Sequence, residues 1–501
     1  MRILYVDIDS LKPSHLGCYG YSRPTSPTMD ALAARGVRFN HCYAADSPCV
    51  PSRAAMWSGR PGIRNGVVTH ENTPAGCAFR YAVPDRHGQC PTLAHHLADA
   101  GLQTVSFTSF ADRHLQGWFN FGFREFHVPS LKGGNEDGPE VNAAVLPWLR
   151  DHAREDNWFV HLTYWDPHTL YTEPMDQFEA MARHPAAAWP DEQTIERQQR
   201  DTGIRTASTL WGDNPHDGFG RSRVPTMPDN IRNRSDFEHL INGYDGGIRH
   251  ADDQLAELVA ELDRQGVLEE TAIIISADHG EAFGELGQYM EHGSASPATH
   301  HIPLIVVWPG ITDAAAGTAR DEMLLNTDFA PTLAELLELD VPEGWCGRSF
   351  APALQGQAMH LDEPLVWTHG LHTRQRAVFD GRYLFIRTYH PSWYAYPPRM
   401  LFDLEQDPHQ QHDLADELPD RVSAMGAQLT AWEQAHVDAT GQPDPMRLAQ
   451  HQPPAAAGLP DYLERLEKLG RAEDAKAIRE RLARVPTHYA PPALEPKSSS
   501  Q

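Results

Sequence analysis

Cysteine is scarce in this chain, which has six cysteines among its 501 residues. They are scattered, with neither the spacing of a metal-ligand cluster nor the density of a disulfide scaffold. Basic residues are also in the minority, because 42 Lys and Arg face 68 Asp and Glu, for a net charge of −26. Such a surface repels nucleic acids and anionic membranes, so we expect neither as a partner. An anionic substrate would need a local basic pocket.

Long apolar runs are missing as well. No stretch approaches the length that spans a membrane. Met1 and Arg2 lead directly into a short strand-like run, which is unlike the core of a signal peptide. We therefore expect a cytoplasmic protein. The length of 501 residues exceeds the size at which a single core stops growing, which predicts one large domain and a smaller one.

Segments with the pattern of buried strands alternate with amphipathic helical segments. The strands are expected at 3–8, 104–108, 158–164, 271–276 and 302–308, and the helices at 26–35, 92–100 and 245–264. This alternation predicts an α/β fold with a mostly parallel central sheet flanked by helices. Sites in such folds lie at the carboxyl ends of strands. Asp9, Asp166 and Asp278 each follow a strand, so we expect three carboxylates near one rim.

Composition and pattern divide the chain into three parts. The large α/β domain is expected over 1–360, with a polar, Pro- and Gly-containing insertion or lid at 172–235. Residues 361–440 have the pattern of a C-terminal α+β subdomain with a small antiparallel sheet and a helix. Residues 441–501 are predicted to form a helical tail whose end, from 485, is loose.

Cys49 lies in the run SPCVPSR at 47–53, which continues to Ser-Gly-Arg at 58–60. This run resembles the signature of the formylglycine-dependent sulfatases of the alkaline phosphatase superfamily, and so implies an alkaline phosphatase-like fold. The resemblance implies that a formylglycine-generating enzyme oxidises Cys49 to an aldehyde, whose hydrated form attacks sulfur with one hydroxyl and releases sulfate with the other. The alternative interpretation is a buried cysteine before a proline turn.

The resemblance extends to metal ligands. Asp9 follows the first strand, and Asp278-His279-Gly280-Glu281 follows the strand at 271–276. The family pattern implies a divalent cation held by Asp9, Asp278, His279 and the formylglycine from Cys49, with Asp7 as a further candidate. Oxygen ligands favour Ca²⁺, whereas the imidazole makes Mn²⁺ or Mg²⁺ alternatives.

Two departures concern this metal set. Ser10 stands where the family has a second acid, and His279 stands where many sulfatases have Asn. A His at the latter position resembles the phosphonate monoester hydrolase and choline sulfatase branches. Each acid taken alone could instead be a helix cap or a turn residue.

The same resemblance implies roles for basic residues. Arg53 would hold the modified residue and neutralise developing charge. His168, in an Asp-Pro-His turn after a strand, would be the general acid for the leaving group. His292 occupies the place of a sulfate-binding Lys and would donate to the sulfate when protonated. A surface or capping histidine is the alternative for both rings.

Further residues are expected to line the substrate pocket. Many sulfatases carry Lys and His on a strand near 108, where this chain has neither, and Arg113 and His114 just beyond are candidates to replace them. His70 lies where relatives have a polar pocket residue. The alternative for all three is a solvated loop.

The carboxyl-terminal half also matches, because MLFDLEQDP at 400–408 resembles a structural block of the family. The resemblance therefore covers about 1–440. It implies hydrolysis of sulfate esters, and a polar insertion with Arg374 and Arg376 suggests a carbohydrate substrate. The alternatives are a phosphonate monoester or phosphodiester hydrolase of the same superfamily and a non-catalytic binder of sulfated glycans. Aromatic side chains could form sugar platforms or belong to the core; they are Trp118, Phe119, Tyr164, Trp165 and Tyr171.

Overall fold

The computed structural model describes residues 1–70, 91–208, 210, 224–359, 363–449 and 459–485. The predicted loose end after 485 lies outside these residues. No helix in the described parts of the chain is long and apolar enough to cross a membrane.

The strands of the described residues form three sheets. The strands are β1 Arg2–Ile8, β2 Val37–Tyr43, β3 Asp46–Ser47, β4 Gln103–Phe107, β5 Glu125–His127, β6 Trp158–Tyr164, β7 Thr271–Ser276, β8 Ala282–Phe283, β9 Tyr289–Glu291, β10 His301–Val307, β11 Thr318–Leu325, β12 Leu365–His369, β13 Arg374–Phe379, β14 Tyr383–His390 and β15 Arg399–Asp403.

The helices flank these sheets. They are α1 Pro27–Arg35, α2 Cys49–Ser58, α3 Gly62–Asn65, α4 Leu93–Asp99, α5 Phe110–His114, α6 Gly138–His152, α7 Met175–Ala182, α8 Glu192–Gln198, α9 Arg234–Arg264, α10 Pro297–His300, α11 Phe329–Leu336, α12 Ala351–Leu354, α13 Pro419–Thr440, α14 Pro445–Ala449, α15 Leu459–Lys468 and α16 Ala472–Leu482.

The large sheet has the strand order β11-β2-β10-β7-β1-β6-β4-β5. Strand β10 runs antiparallel to both of its neighbours, and the other pairs are parallel. Both faces are covered, so β1 and β7 are buried along their whole length and consist largely of apolar residues. The predicted α/β fold with a mostly parallel central sheet is confirmed.

The register of β1 and β7 places two acids side by side. Arg2 pairs with Thr271, and the pairing continues to Asp7 with Ser276. Because the strands are parallel and level, the chain leaves both of them at the same edge of the sheet. Asp9 and Asp278, each two residues past this last pair, therefore emerge next to one another.

Helix α9 begins eleven residues before the predicted start at 245, at Arg234. The Asn233 side chain accepts a hydrogen bond from the Asp236 amide at 3.0 Å, which caps the helix. Gly243, Gly246 and Gly247 lie in the added part or just after it, and glycines normally weaken a helix. Close packing explains Gly247, because a Cβ there would lie 2.5 Å from the Asp166 carbonyl oxygen.

The second sheet has the order β15-β14-β13-β12-β3, and its last strand comes from far earlier in the chain. Residues Asp46 and Ser47 of β3 pair in parallel with Thr368 and His369 of β12. The helix that begins at Cys49 therefore starts where the two sheets meet. Helix α13 covers the sheet through a buried apolar cluster, which comprises Val366, Val378, Phe385, Leu401, Val422, Met425 and Leu429.

Candidate active site

The site lies at the carboxyl edge of the large sheet, where β1, β7 and helix α2 converge. The Asp9 and Asp278 carboxylates are buried there and share Ser10 as a donor. The Ser10 hydroxyl donates to Asp9 Oδ1 at 2.9 Å, and its backbone amide donates to Asp278 Oδ1 at 3.2 Å. Ser10 therefore connects Asp9 and Asp278, although the family pattern has a second acid directly after Asp9 at this position.

Cys49 is the first residue of α2 and is buried with its thiol directed at these acids. Its Sγ lies 3.1 Å from His279 Nε2. Burial raises the pKa of the Cys49 thiol well above its usual range, and the charges of Asp9 and Asp278 raise it further. An unmodified thiol is therefore held in its neutral form, which is a poor nucleophile.

Arg53 lies one helical turn after Cys49 and points its guanidinium at the same acids. Its Nε donates to Asp7 Oδ2 at 2.8 Å, and its Nη1 donates to Asp9 Oδ2 at 3.1 Å and also to Asp278. Burial alone would raise the pKa of Asp9, but Arg53 holds it well below its usual value. Burial raises the pKa of Asp278 to about 7 despite the same guanidinium.

Four residues present ligand atoms that a metal ion could bind. One atom from each of Asp9, Cys49, Asp278 and His279 lies within 4.8 Å of the others, in the part of the chain that the structure describes. His279 Nδ1 is 2.8 Å from the Gly280 carbonyl oxygen and donates to it, which leaves Nε2 directed at the group. Asp7 is outside this group and instead binds Arg53.

The charges of this group fit a divalent cation. The single guanidinium of Arg53 faces three buried carboxylates, those of Asp7, Asp9 and Asp278. A buried surplus of negative charge is costly unless a cation compensates it. The donor set of carboxylate oxygens and one imidazole nitrogen suits Ca²⁺, Mn²⁺ or Mg²⁺.

The rings of His168 and His292 border this group. The His292 ring centroid lies 4.4 Å from that of His279 and 6.0 Å from that of His168. Burial lowers the pKa of both His168 and His292 well below the usual value, with Arg113 adding to the effect on His168 and His279 to that on His292. Burial therefore favours the neutral form of His292, and its role as a donor to the sulfate when protonated stays a prediction.

The three residues predicted to line the pocket lie around the start of α2. The Val50 amide donates to His70 Nε2 at 3.2 Å, and the His70 and His114 ring centroids are 4.9 Å apart. Arg113 Nη2 is 3.4 Å from His168 Nε2, and its guanidinium lies 5.2 Å from the centre of the Trp165 ring. All three residues are half-buried.

Three further expectations concern residues around the site. Asp166 follows β6, which pairs in parallel with β1, so it leaves the sheet at the same edge as Asp9. Its carboxylate accepts a hydrogen bond from the Gly138 amide at 3.0 Å and faces His250 at 3.8 Å, outside the group of possible metal ligands. Arg376 is buried in the second sheet and binds Asp444 and Glu433, so it cannot form a pocket wall. The five aromatic residues weighed as sugar platforms belong to the core, where each is at most 9% exposed; they are Trp118, Phe119, Tyr164, Trp165 and Tyr171.

Four residues behind the site had no role in the sequence interpretation. His292 Nδ1 is 3.3 Å from Glu281 Oε1, and His372 Nδ1 is 2.8 Å from Glu291 Oε1. Arg205 Nε lies 3.8 Å from Glu291 Oε2. Glu281 and Glu291 could have been noticed from their positions beside His279 and His292. Nothing in the sequence brings Arg205, from the insertion, or His372, from the second sheet, to this place.

Family models match most of the chain. The model described as Sulfatase matches residues 2–339, and the model described as N-sulphoglucosamine sulphohydrolase, C-terminal, matches residues 288–433. The chain belongs to the sulfatase family. It is therefore a sulfuric ester hydrolase, and its alkaline phosphatase-like fold is that of the family.

Relatives and solved structures agree with this family. The N-acetylglucosamine-6-O-sulfatase of Bacteroides thetaiotaomicron is 21% identical over 414 residues, which cover 71% of each chain. A protein solved in complex with its substrate D-glucosamine-2-N,6-O-disulfate superposes with a TM-score of 0.70 at 16% identity, covering 87% of this chain and 98% of its own. The phosphonate monoester hydrolase of Agrobacterium radiobacter gives 0.66 at 18% identity, covering 87% and 96%. At these identities the superpositions show a common fold.

The dependence of the buried carboxylates on Arg53 can be tested by its removal. In Arg53→Met, three buried acids lose their guanidinium, so we expect the free energy of unfolding to fall by about 3–5 kcal/mol. The measurement is thermal unfolding in the presence of a chelator. Arg232→Met is the matched control, because Arg232 forms an exposed pair with Asp236 at 3.4 Å and its loss should cost less than about 1 kcal/mol. Equal shifts in the melting temperature for the two variants would contradict the prediction.

Proposed function

We propose that this protein hydrolyses sulfate esters of a carbohydrate through a formylglycine made from Cys49, at a site that holds a divalent cation. The observation that carries the proposal is the convergence of Cys49 with Asp9, Asp278 and His279 in one buried group beside Arg53. The family signature at 47–53 supplies the nucleophile, and the sheet edge supplies the ligands.

Conversion to formylglycine would replace the buried neutral thiol, which is a poor nucleophile, by a reactive group. A formylglycine-generating enzyme would replace the sulfur and two hydrogens of Cys49 by one oxygen, which lowers the mass of the chain by about 18 Da. Water adds to the aldehyde to give a geminal diol. One diol oxygen bonds to sulfur while the alcohol oxygen departs, and the second hydroxyl then loses its proton, re-forms the aldehyde and expels sulfate.

Asp9, Asp278, His279 and residue 49 would hold the cation. When bound, a divalent cation lowers the pKa of a hydroxyl beside it and so favours the attacking form of the diol. The two carboxylates and the diol oxygen favour Ca²⁺, with Mn²⁺ or Mg²⁺ as alternatives because His279 adds nitrogen. Asp7 would keep Arg53 in place without binding the ion, because it lies outside the group of atoms that a cation could bind.

The surrounding histidines would bind the sulfate and protonate the leaving alcohol. His168 would give a proton to the departing oxygen, and the negative charge of the bound sulfate would raise its depressed pKa. His292 lies next to His279 and would donate a hydrogen bond to a sulfate oxygen. Arg113 would supply the positive charge that an acidic protein needs near a bound anion, and His70 and His114, whose pKa values burial lowers well below the usual value, would act as neutral hydrogen-bonding groups.

Support for a carbohydrate substrate comes from the relatives. One is named N-acetylglucosamine-6-O-sulfatase, one structural neighbour is solved with a disulfated glucosamine, and the second family model is that of N-sulphoglucosamine sulphohydrolase. The half-buried residues predicted to line the pocket are polar, as hydroxyl-rich sugars require. They are His70, Arg113 and His114.

A specific observation favours a second candidate. His279 lies in the metal-ligand group, as the resemblance to phosphonate monoester hydrolases leads one to expect, and such an enzyme shares the fold. The second candidate is therefore a phosphonate monoester or phosphodiester hydrolase. A non-catalytic glycan binder is less well supported, because Cys49, Arg53 and Asp278 are all present and in contact.

The metal site can be tested by removing and restoring the ion. A chelator should abolish sulfatase activity, and Ca²⁺, Mn²⁺ or Mg²⁺ added back at about 100 times its dissociation constant should restore it and stabilise the fold by about 2.7 kcal/mol. The measurement is activity together with thermal unfolding. Asp278→Asn should lose the stabilisation, whereas Asp263→Asn, an exposed acid on α9, should keep it. Full activity in chelator would disprove the metal role.

The substrate class can be tested by side-by-side turnover. The sample should have an intact mass about 18 Da below that of the unmodified chain, which shows that Cys49 is converted. We expect kcat/KM to be highest for N- or O-sulfated glucosamine, lower for an aryl sulfate and at least tenfold lower for an aryl phosphonate monoester, because the pocket recognises the sugar as well as the anion. A higher kcat/KM for the phosphonate would favour the second candidate, and no turnover of any ester would favour a binder.

A further inference from the structure

The last two helices of the described chain lie beyond both family models, which end at residues 339 and 433. Helices α15 and α16 nevertheless pack closely on the rest of the molecule. Their apolar sides form one buried cluster with residues from two distant loops, which comprises Ile204, Trp393, Tyr394, Tyr462, Leu463, Leu466, Ala475 and Ile478. The rings of Trp393 and Tyr462 stack with centroids 4.7 Å apart. The helical pair is therefore an integral part of the fold.

Tyr462 of α15 and Arg471, the residue directly before α16, bind the backbone of residues 199–208, which we term the rim segment. The Tyr462 hydroxyl accepts a hydrogen bond from the Gly203 amide at 3.1 Å. Arg471 donates to the carbonyls of Gln199 at 3.5 Å and Asp201 at 3.4 Å, and also to that of Arg200. These carbonyls follow the end of helix α8, where carbonyl groups lack partners within the helix.

The rim segment has little freedom between its neighbours. A Cβ at Gly203 would lie 2.2 Å from Cε1 of Tyr394, and a Cβ at Gly287 would lie 2.2 Å from Asp201 Oδ2. The segment is therefore enclosed by the helical pair on one side and by the turn before β9 on the other. Any shift of α15 and α16 would be transmitted to it.

The rim segment in turn supports strand β9, which leads to the site. The Tyr289 amide donates to the Arg205 carbonyl at 3.2 Å, and Arg205 Nη1 donates to the Met290 carbonyl at 3.0 Å. Strand β9 has three residues and pairs in its sheet with the two residues of β8. Such a short pair is marginal alone, so the contacts of the rim segment are a main support for it.

We propose that α15 and α16 form a brace that fixes the rim segment and strand β9, and thereby sets the position of His292 against the nucleophile. Tyr462 and Arg471 are positioning residues in this account. The path from Arg471 to the site runs through the rim segment to β9 and then to His292, whose ring lies 4.4 Å from that of His279. The inference rests on the proposed role of His292 at the sulfate.

The experiment compares Arg471→Ala and Tyr462→Phe with Arg479→Ala in the full chain. Arg479 lies on α16, which begins directly after Arg471, and pairs with Glu467 of α15 at 2.8 Å, so it controls for loss of an arginine from the brace. We expect Arg471→Ala to lower kcat on an aryl sulfate about tenfold at a temperature well below unfolding, because small displacements of supporting groups cost that much. Tyr462→Phe should act in the same direction, Arg471→Lys should recover part of the rate, and Arg479→Ala should change it less than about twofold.

Two further readouts separate positioning from general stability. Amide hydrogen exchange should accelerate in 199–208 and 289–292 in Arg471→Ala and not in Arg479→Ala. In the background of His292→Ala, Arg471→Ala should change kcat by less than about twofold, because the two act on the same contact.

The outcomes are distinguishable. Faster exchange confined to 459–485, an unchanged kcat in Arg471→Ala, or the same tenfold loss with and without His292 would each overturn the brace. Faster exchange at 289–292 in a converted chain that hydrolyses no sulfate ester would overturn the proposed function and leave the brace standing, since exchange does not depend on turnover.

Discussion

The structure depends on one buried guanidinium that faces three buried carboxylates. Arg53 bonds to Asp7 and Asp9 on one strand-loop and to Asp278 on another, so a single side chain of α2 joins the ends of β1 and β7. The arrangement is costly without a further cation, because one positive charge faces three acids in a region that excludes water. The same surplus of negative charge would allow the site to hold a divalent ion beside residue 49.

The position of Cys49 beside Asp9 and Asp278 depends on both sheets. The large sheet sets Asp9 and Asp278 side by side through the level register of β1 and β7. The second sheet holds Asp46 and Ser47 against β12, and the chain enters α2 two residues later with Cys49 in its first turn. The second sheet therefore contributes to the site through β3, a strand from the amino-terminal part of the chain. In the proposed brace, helices α15 and α16 likewise act on the site from a distance, through β9.

Much of this could be predicted from local patterns, and the failures share a cause. The bounds of strands β6 and β7 agree with the prediction because both segments consist mainly of aromatic, aliphatic and β-branched residues, and Asp9 and Asp278 followed from the strand ends. Helix α9 begins earlier than predicted, and Gly243 in the added part fits a close contact, because a Cβ there would lie 2.8 Å from the Thr226 carbonyl oxygen. Burial cannot be read from local patterns, so the protonation state of His292 and the choice between core and sugar platform for five aromatic residues stayed open in the sequence. Arg205, Glu291 and His372 meet only in the folded chain.

The central claim is that residue 49 forms a covalent bond to sulfur and needs its second hydroxyl to release it. Intact mass measurement of Cys49→Ser after incubation with an aryl sulfate tests this claim most directly. A serine hydroxyl can attack sulfur but has no geminal partner to expel sulfate, so the account predicts one adduct of about 80 Da per chain, located on residue 49, without continued turnover. Sustained hydrolysis by Cys49→Ser at the rate of the converted wild type, with no adduct, would contradict it.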